Sequence, residues 1–190
     1  MKKLFFILFL ALLPACEIVD FISDIDEVYE TVEEQYWEGK YIGKIEKYDF
    51  PGSEGIPEFE TIEEALNFVK TESTYASDID MFQIREYWQT PEEFYYNKNE
   101  NNEMQGDCED YSIFLGYILH FIMGYEVFIM GITGQDSLHG IIYCDDRYLD
   151  PQGKEVFFPK NNIKLIIPYE EMLWMAINYH HAWGKYNIKI

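Results

Sequence analysis

Residues 106–124 read GDCEDYSIFLGYILHFIMG, and the rest of the chain is interpreted outward from them. Ile113, Phe114, Tyr117, Ile118, Phe121 and Ile122 recur at helical spacing, Asp107 is a suitable N-cap and Gly124 a suitable stop. The stretch is therefore a helix that opens on a cysteine, in a chain with 3 cysteines among 190 residues. Unsatisfied backbone N–H groups and the helix dipole favour an anion at such a position, so a thiolate there is stabilised. Asp107, Glu109 and Asp110 push the other way. For the thiol to be activated, they must be turned aside as caps or hydrogen-bond acceptors.

A base for that thiol has to come from elsewhere. His120 lies on the same helix about three turns away, too far to touch it. His139 is better placed. Residues 125–132, YEVFIMGI, form a β-rich run, and residues 138–151, LHGIIYCDDRYLDP, read as a hairpin turning at Asp145-Asp146. With those two residues as the turn, Cys144 faces Arg147 and Ile141 faces Asp150. His139 and Asp150 then share a face as diagonal neighbours, about 7–8 Å apart at the backbone. A turn centred on Cys144-Asp145 places them directly opposite, whereas an odd-length turn or a bulge shifts the pairing. In either even-length register a carboxylate can orient the imidazole. If helix and sheet pack, the imidazole can face the thiol, which is the nucleophile, base and orienter arrangement of a cysteine acyl-transfer enzyme. Cys144 has the opposite strand parity and reads as a core thiol.

The remaining elements follow from caps and periodicity. Thr61 and Glu64 form a capping box for a helix from about Ile62 to Lys70, and Thr90, Pro91 and Glu93 open a second, short one. Residues 97–106 read as a polar loop. Residues 38–60 read as loop with a short strand, and a last helix begins at about Tyr169. His180 and His181, with Tyr179 and Trp183, read as the end of that helix and not as a metal site. Helices, a central helix, an antiparallel sheet and a closing helix make an α+β fold.

The three stretches in order resemble the core of the transglutaminase-like cysteine peptidase superfamily. That core has Gly-Asp-Cys-Glu-Asp opening a helix, a strand, a histidine followed by a small residue on the next strand, and Asp-Pro on the strand after. The match covers about Trp88 to Pro151, and YWQTPEEF (87–94) is similar to the family's lead-in. The resemblance implies a papain-like core with the helix packed on an antiparallel sheet. It makes Cys108 the nucleophile, His139 the general base and acid, and Asp150 the orienting carboxylate. Oxyanion donors would be the Cys108 backbone N–H, with Gln105 or Trp88 as side-chain candidates. Gly140 stands where many members have Ala. Some members bind calcium through acids beside the nucleophile. Asp107, Glu109 and Asp110 would suit that, but Gln105 replaces a further acid, so no metal or cofactor is assigned.

The amino terminus adds a location. MKKLFFILFLALLPAC has two lysines, an apolar run from Leu4 to Leu13 too short for a comfortable span, and a small-residue exit. The exit resembles the bacterial lipobox at Leu13, Ala15 and Cys16, with Pro14 an uncommon choice. Residues 1–15 are thus expected to be a lipoprotein signal peptide and Cys16 the lipidated residue. Residues 16–37 would form an anchor and N-terminal helix whose face carries Ile18, Phe21, Ile22, Ile25, Val28, Tyr29, Val32 and Tyr36, either packed or serving as a stalk. Residues 38–190 would form the transglutaminase-like domain. Removing residues 1–15 takes away Lys2 and Lys3 and no acid, leaving 12 basic against 35 acidic residues, net −23. Such a charge repels nucleic acid and anionic lipid and favours a body held off the membrane surface. The expectation is an exported, membrane-anchored lipoprotein, periplasmic or on the cell surface, that hydrolyses a peptide or isopeptide amide of a protein or peptide substrate. The alternative is a non-catalytic surface lipoprotein that binds a partner in the same groove. An oxidising compartment would permit a bond between Cys108 and Cys144, though a domain of this size does not need one.

Overall fold

The computed structural model describes residues 43–84, 87–133, 138–153 and 163–179. Cys16, the expected helix at 17–37 and His180 and His181 lie outside these residues. No helix among the described residues is long and apolar enough to cross a membrane.

Two helices begin where their capping boxes place them. In α1 (Ile62–Thr71) Thr61 Oγ1 accepts from the Glu64 N–H at 3.2 Å, and the Glu64 carboxylate accepts from the Thr61 N–H at 3.3 Å. Ile62, Ala65 and Val69 form its buried face. A three-residue strand follows, β1 (Ser73–Tyr75), and then a short helix, α2 (Asp78–Phe82), capped by Ser77. The Thr90 and Glu93 box opens α3 (Pro91–Tyr96). The stretch read as a polar loop at 97–106 ends in β2 (Met104–Gly106), which pairs in parallel with β1. Strands of three residues contain too little alternation to be read from sequence.

The central helix, α4, runs from Cys108 to Tyr117 and continues as a π-helical turn, Ile118–Ile122. Gly124, at φ 77°, stops it, and the Tyr125 N–H donates to the Leu119 carbonyl at 2.9 Å. Every residue from Glu109 to Leu119 is buried. Burying an apolar side chain such as Ile113, Phe114 or Leu115 contributes about 1.5–3 kcal/mol, which holds the helix in place despite its acidic first turn.

Four antiparallel strands form the main sheet: β3 (Val127–Thr133), β4 (Leu138–Cys144), β5 (Arg147–Leu149) and β6 (Ile163–Pro168), in the order β5-β4-β3-β6. The hairpin register is the one read from the turn: Cys144 faces Arg147 and Ile142 faces Leu149. Asp145 and Asp146 both have positive φ, 51° and 57°, as a two-residue hairpin turn requires. The final helix, α5 (Tyr169–Tyr179), packs on α4. Tyr169 is fully buried against Gly116 and donates its hydroxyl to the Ile113 carbonyl at 2.9 Å. The fold is thus mixed helix and sheet, with α4 packed on β3 and β4 and met by α1, α3 and α5, and with α5 also touching β3 and β6. A second, smaller apolar cluster around Met130, Ile132, Ile141 and Ile166 lies apart from the α4 core.

Candidate active site

Cys108 is the first residue of α4, and Asp110 explains the glycine two residues before it. The Asp110 carboxylate folds back to accept from the Asp107 N–H at 3.2 Å. It also accepts from Gln89, at 2.7 Å from the backbone N–H and 2.8 Å from Nε2. A β-carbon on Gly106 would stand 2.6 Å from Asp110 Cβ and from the Phe94 ring. Burial and the charge of Asp107 hold the Asp110 carboxyl well above the usual range, against the lowering effect of Gln89. Gln89 also donates to the Gln105 carbonyl at 2.9 Å, which ties the Tyr87–Thr90 loop to both β2 and α4.

His139 and Asp150 are brought together. A His139 ring nitrogen, Nε2, is 2.9 Å from Asp150 Oδ2, and both side chains are largely withdrawn from solvent, 15% and 4% exposed. The other Asp150 oxygen accepts from the Gln152 N–H at 2.8 Å, which fixes the carboxylate in a turn closed by the Gly153 N–H on the Asp150 carbonyl. Burial pushes the imidazole pKa down, but hydrogen bonds to Asp150 and Cys108 and their negative charges outweigh it and raise His139 to about 9. With Nε2 on Asp150, Nδ1 is the nitrogen left for the thiol.

Strand alternation puts Gly140, Ile142 and Cys144 on the face that meets α4 and His139 on the other. His139 lies beyond the last β4–β5 pair, at Ile142, and its ring interacts with Cys108. Gly140 permits this approach: a β-carbon there would lie 3.2 Å from the Cys108 carbonyl oxygen and 3.3 Å from Glu109 Cα. Cys144 is buried with its thiol pushed up by that burial to about 11, and both described cysteines are free.

The acids of the first turn divide. Asp110 is turned inward as an acceptor, as an activated thiol requires. Glu109 is not turned aside, because the Cys108 thiol lies 3.0 Å from its Oε2 and donates to it. The carboxylates of Glu109, Asp107 and Asp78 each place an oxygen within 4.8 Å of the others. Three carboxylates of this kind are a hard oxygen donor set of the sort calcium or magnesium takes. The set differs from the acids considered from the sequence, since Asp110 is elsewhere and Asp78, at the start of α2 and 2% exposed, takes its place. Asp78 lies 30 residues from Cys108 on a helix too short to read as one, and no sequence signal marks it.

Of the two side chains considered as oxyanion donors, Gln105 is half-buried on β2. Trp88 has no exposed surface and belongs to the core, so a carbonyl oxygen would reach its indole only after movement. Comparison with protein-family models finds no match to this chain, and comparison with curated proteins finds none either.

Proposed function

We propose that the chain is a transglutaminase-like cysteine peptidase or amidase with a papain-like core, in which Cys108, His139 and Asp150 act in sequence on an amide carbonyl. The observation that carries this reading is the His139–Asp150 hydrogen bond, with the imidazole interacting electrostatically with Cys108 at the first residue of a buried helix. Cys108 Sγ attacks the carbonyl carbon as its proton passes to His139 Nδ1. The developing oxyanion is met by the Cys108 backbone N–H, with Gln105 as the side-chain donor within the same segment. His139 then protonates the leaving amine, and a thioester remains on Cys108. Water, deprotonated by His139, attacks that thioester and releases the acid. Asp150 orients the ring and stabilises the imidazolium. A hard divalent cation, if bound, would be held by Asp78, Asp107 and Glu109 and would supply positive charge beside the thiolate. The amino-terminal leader supports an exported, lipid-anchored enzyme attached through Cys16.

One observation favours a second reading, a binding lipoprotein that uses the same groove without turnover: the Cys108 thiol donates to Glu109 and not to His139. Alkylation by iodoacetamide at about pH 6, read by peptide mass mapping, separates the two, because an ordinary thiol near pKa 8.5 reacts slowly there. The expected result is fast labelling of Cys108, slow labelling of Cys144, and loss of the difference in His139→Ala. Equal, slow labelling of both would leave the binding reading.

A further inference from the structure

Beside the triad lies a cavity of about 430 Å³. Its walls are Lys70 from the last turn of α1, Ser73, Thr74 and Tyr75 of β1, Tyr111 of α4, and Pro151 and Gln152. Tyr111 is one helical turn beyond Cys108, and Pro151 follows Asp150. The Tyr75 phenol, raised first by burial, also feels the charges of Asp107 and Cys108. The cavity is therefore walled in part by near neighbours of Cys108 and Asp150 in the chain.

Its chemistry contrasts with the rest of the molecule. Acids outnumber bases 35 to 14 in the chain, yet among the described residues no carboxylate lines this cavity and one ammonium does. Among the described residues Lys70 forms no ion pair, and its side chain lies along the turn at Gly153, where a β-carbon would stand 3.6 Å from Nζ. On two of the wall residues a polar atom, Ser73 Oγ and Gln152 Nε2, is buried without a hydrogen-bond partner among the described residues. Such a polar atom costs about 1–3 kcal/mol when nothing bonds to it. An amide N–H₂, a hydroxyl and an ammonium all donate, so what satisfies them together is an acceptor carrying negative charge. The Gln152 backbone N–H donates to Asp150, which ties this wall residue to the triad carboxylate.

We propose that this cavity is a substrate subsite for a carboxylate, received by Lys70 Nζ with Ser73 Oγ and Gln152 Nε2 as hydrogen-bond donors. The choice of a carboxylate over another anion rests on the reading of Cys108 as the nucleophile of a peptide-cleaving site. The group would be the side chain of an acidic residue near the scissile amide or the terminal carboxylate of the peptide.

Three small probes separate these sources: N-acetyl-glutamate α-amide carries only a side-chain carboxylate, N-acetyl-glutamine only a terminal one, and N-acetyl-glutamine α-amide neither. Each is titrated into the full chain in detergent, and binding is read from the ¹⁵N NMR shifts of Ser73 and the Gln152 side-chain amide. One of the charged probes is expected to bind at least about tenfold tighter than the neutral one. That preference should vanish in Lys70→Gln and persist in Lys70→Arg, with Gln152→Ala weakening the same probe. Equal binding of all three, or a preference unchanged in Lys70→Gln, overturns the subsite. Iodoacetamide labelling of the same samples keeps the two readings apart. Fast labelling of Cys108 without probe preference removes the subsite alone, whereas probe preference with an inert Cys108 removes the enzyme and leaves an anion-binding groove.

Discussion

A methyl group added at residue 140 would meet backbone, not a flexible side chain, on the opposite side of the contact. The Cys108 carbonyl and Glu109 Cα stand 3.2–3.3 Å from that point, so β4 and the start of α4 would have to move apart by a few tenths of an ångström. Gly140→Ala should therefore lengthen the His139–Cys108 contact and slow Cys108 alkylation severalfold, at a stability cost of about 1 kcal/mol. An unchanged rate would mean that the strand end yields freely. The histidine itself carries a pH signature. Its folded pKa, about 9, lies above the unfolded value of about 6.5, so its stabilising contribution is complete below pH 6.5 and is lost as pH rises through 9. The shift corresponds to roughly 3 kcal/mol, shared between Asp150 and Cys108, with Glu109 facing the thiol from behind. The difference in unfolding free energy between wild type and His139→Gln, measured from pH 6 to 10, should shrink across that window. A difference that stays constant would show that the imidazole is not held as an ion pair.

At the scale of elements, the site depends on two glycines that admit large neighbours. Gly106 leaves room for Asp110 and Phe94 beneath the start of α4, and Gly116 leaves room for the Tyr169 ring, 2.4 Å from a β-carbon placed there. Gly106→Ala should cost about 1–3 kcal/mol by overpacking and loosen the Gln89 loop, whereas Tyr169→Phe should cost about 1 kcal/mol for its lost hydrogen bond. Denaturant unfolding read by tyrosine and tryptophan fluorescence checks both, and a Gly106→Ala variant as stable as wild type would refute the packing argument. These contacts also show what was legible in the sequence. Both capping boxes and the Asp145-Asp146 hairpin are local chemistry, set by residues within four positions, and the structure has them where the sequence places them. The juxtaposition of His139 with Asp150 followed from strand register alone. The β1–β2 ladder, α2 and the π-helical turn were not legible, because a three-residue strand or a five-residue helix has no period to detect, and β6 (IKLIIP) carries an apolar run without clean alternation. The Glu109 contact with the thiol escaped as well, because only side-chain direction distinguishes an acid turned away from one turned toward its neighbour.

For the whole molecule the dominant quantity is charge. A net −21 chain repels itself, and among the described residues Asp78, Asp107 and Glu109 converge beside Cys108. Two unit charges about 5 Å apart in a protein-like medium repel by roughly 3 kcal/mol, so this cluster outweighs scattered surface acids. The general and the local contributions respond to different ions. Sodium chloride at about 0.5 M screens exposed charges everywhere and should raise the melting temperature modestly through relief of the overall repulsion. Calcium at about 1 mM adds little ionic strength and acts only where several carboxylate oxygens can reach one ion. If the cluster is the seat of the local repulsion, calcium should raise the melting temperature by several degrees more than the matching sodium chloride. It should also draw Glu109 off the thiol, so that Cys108 alkylation at pH 6 quickens, and excess chelator should reverse both effects. Asp78→Asn should abolish the calcium response and leave the sodium chloride response intact, because that residue lies far from Cys108 in sequence and close to it only in the fold. A calcium effect no larger than that of sodium chloride, or one that survives Asp78→Asn, would place the repulsion in the general surface and leave Glu109 as the thiol's standing partner.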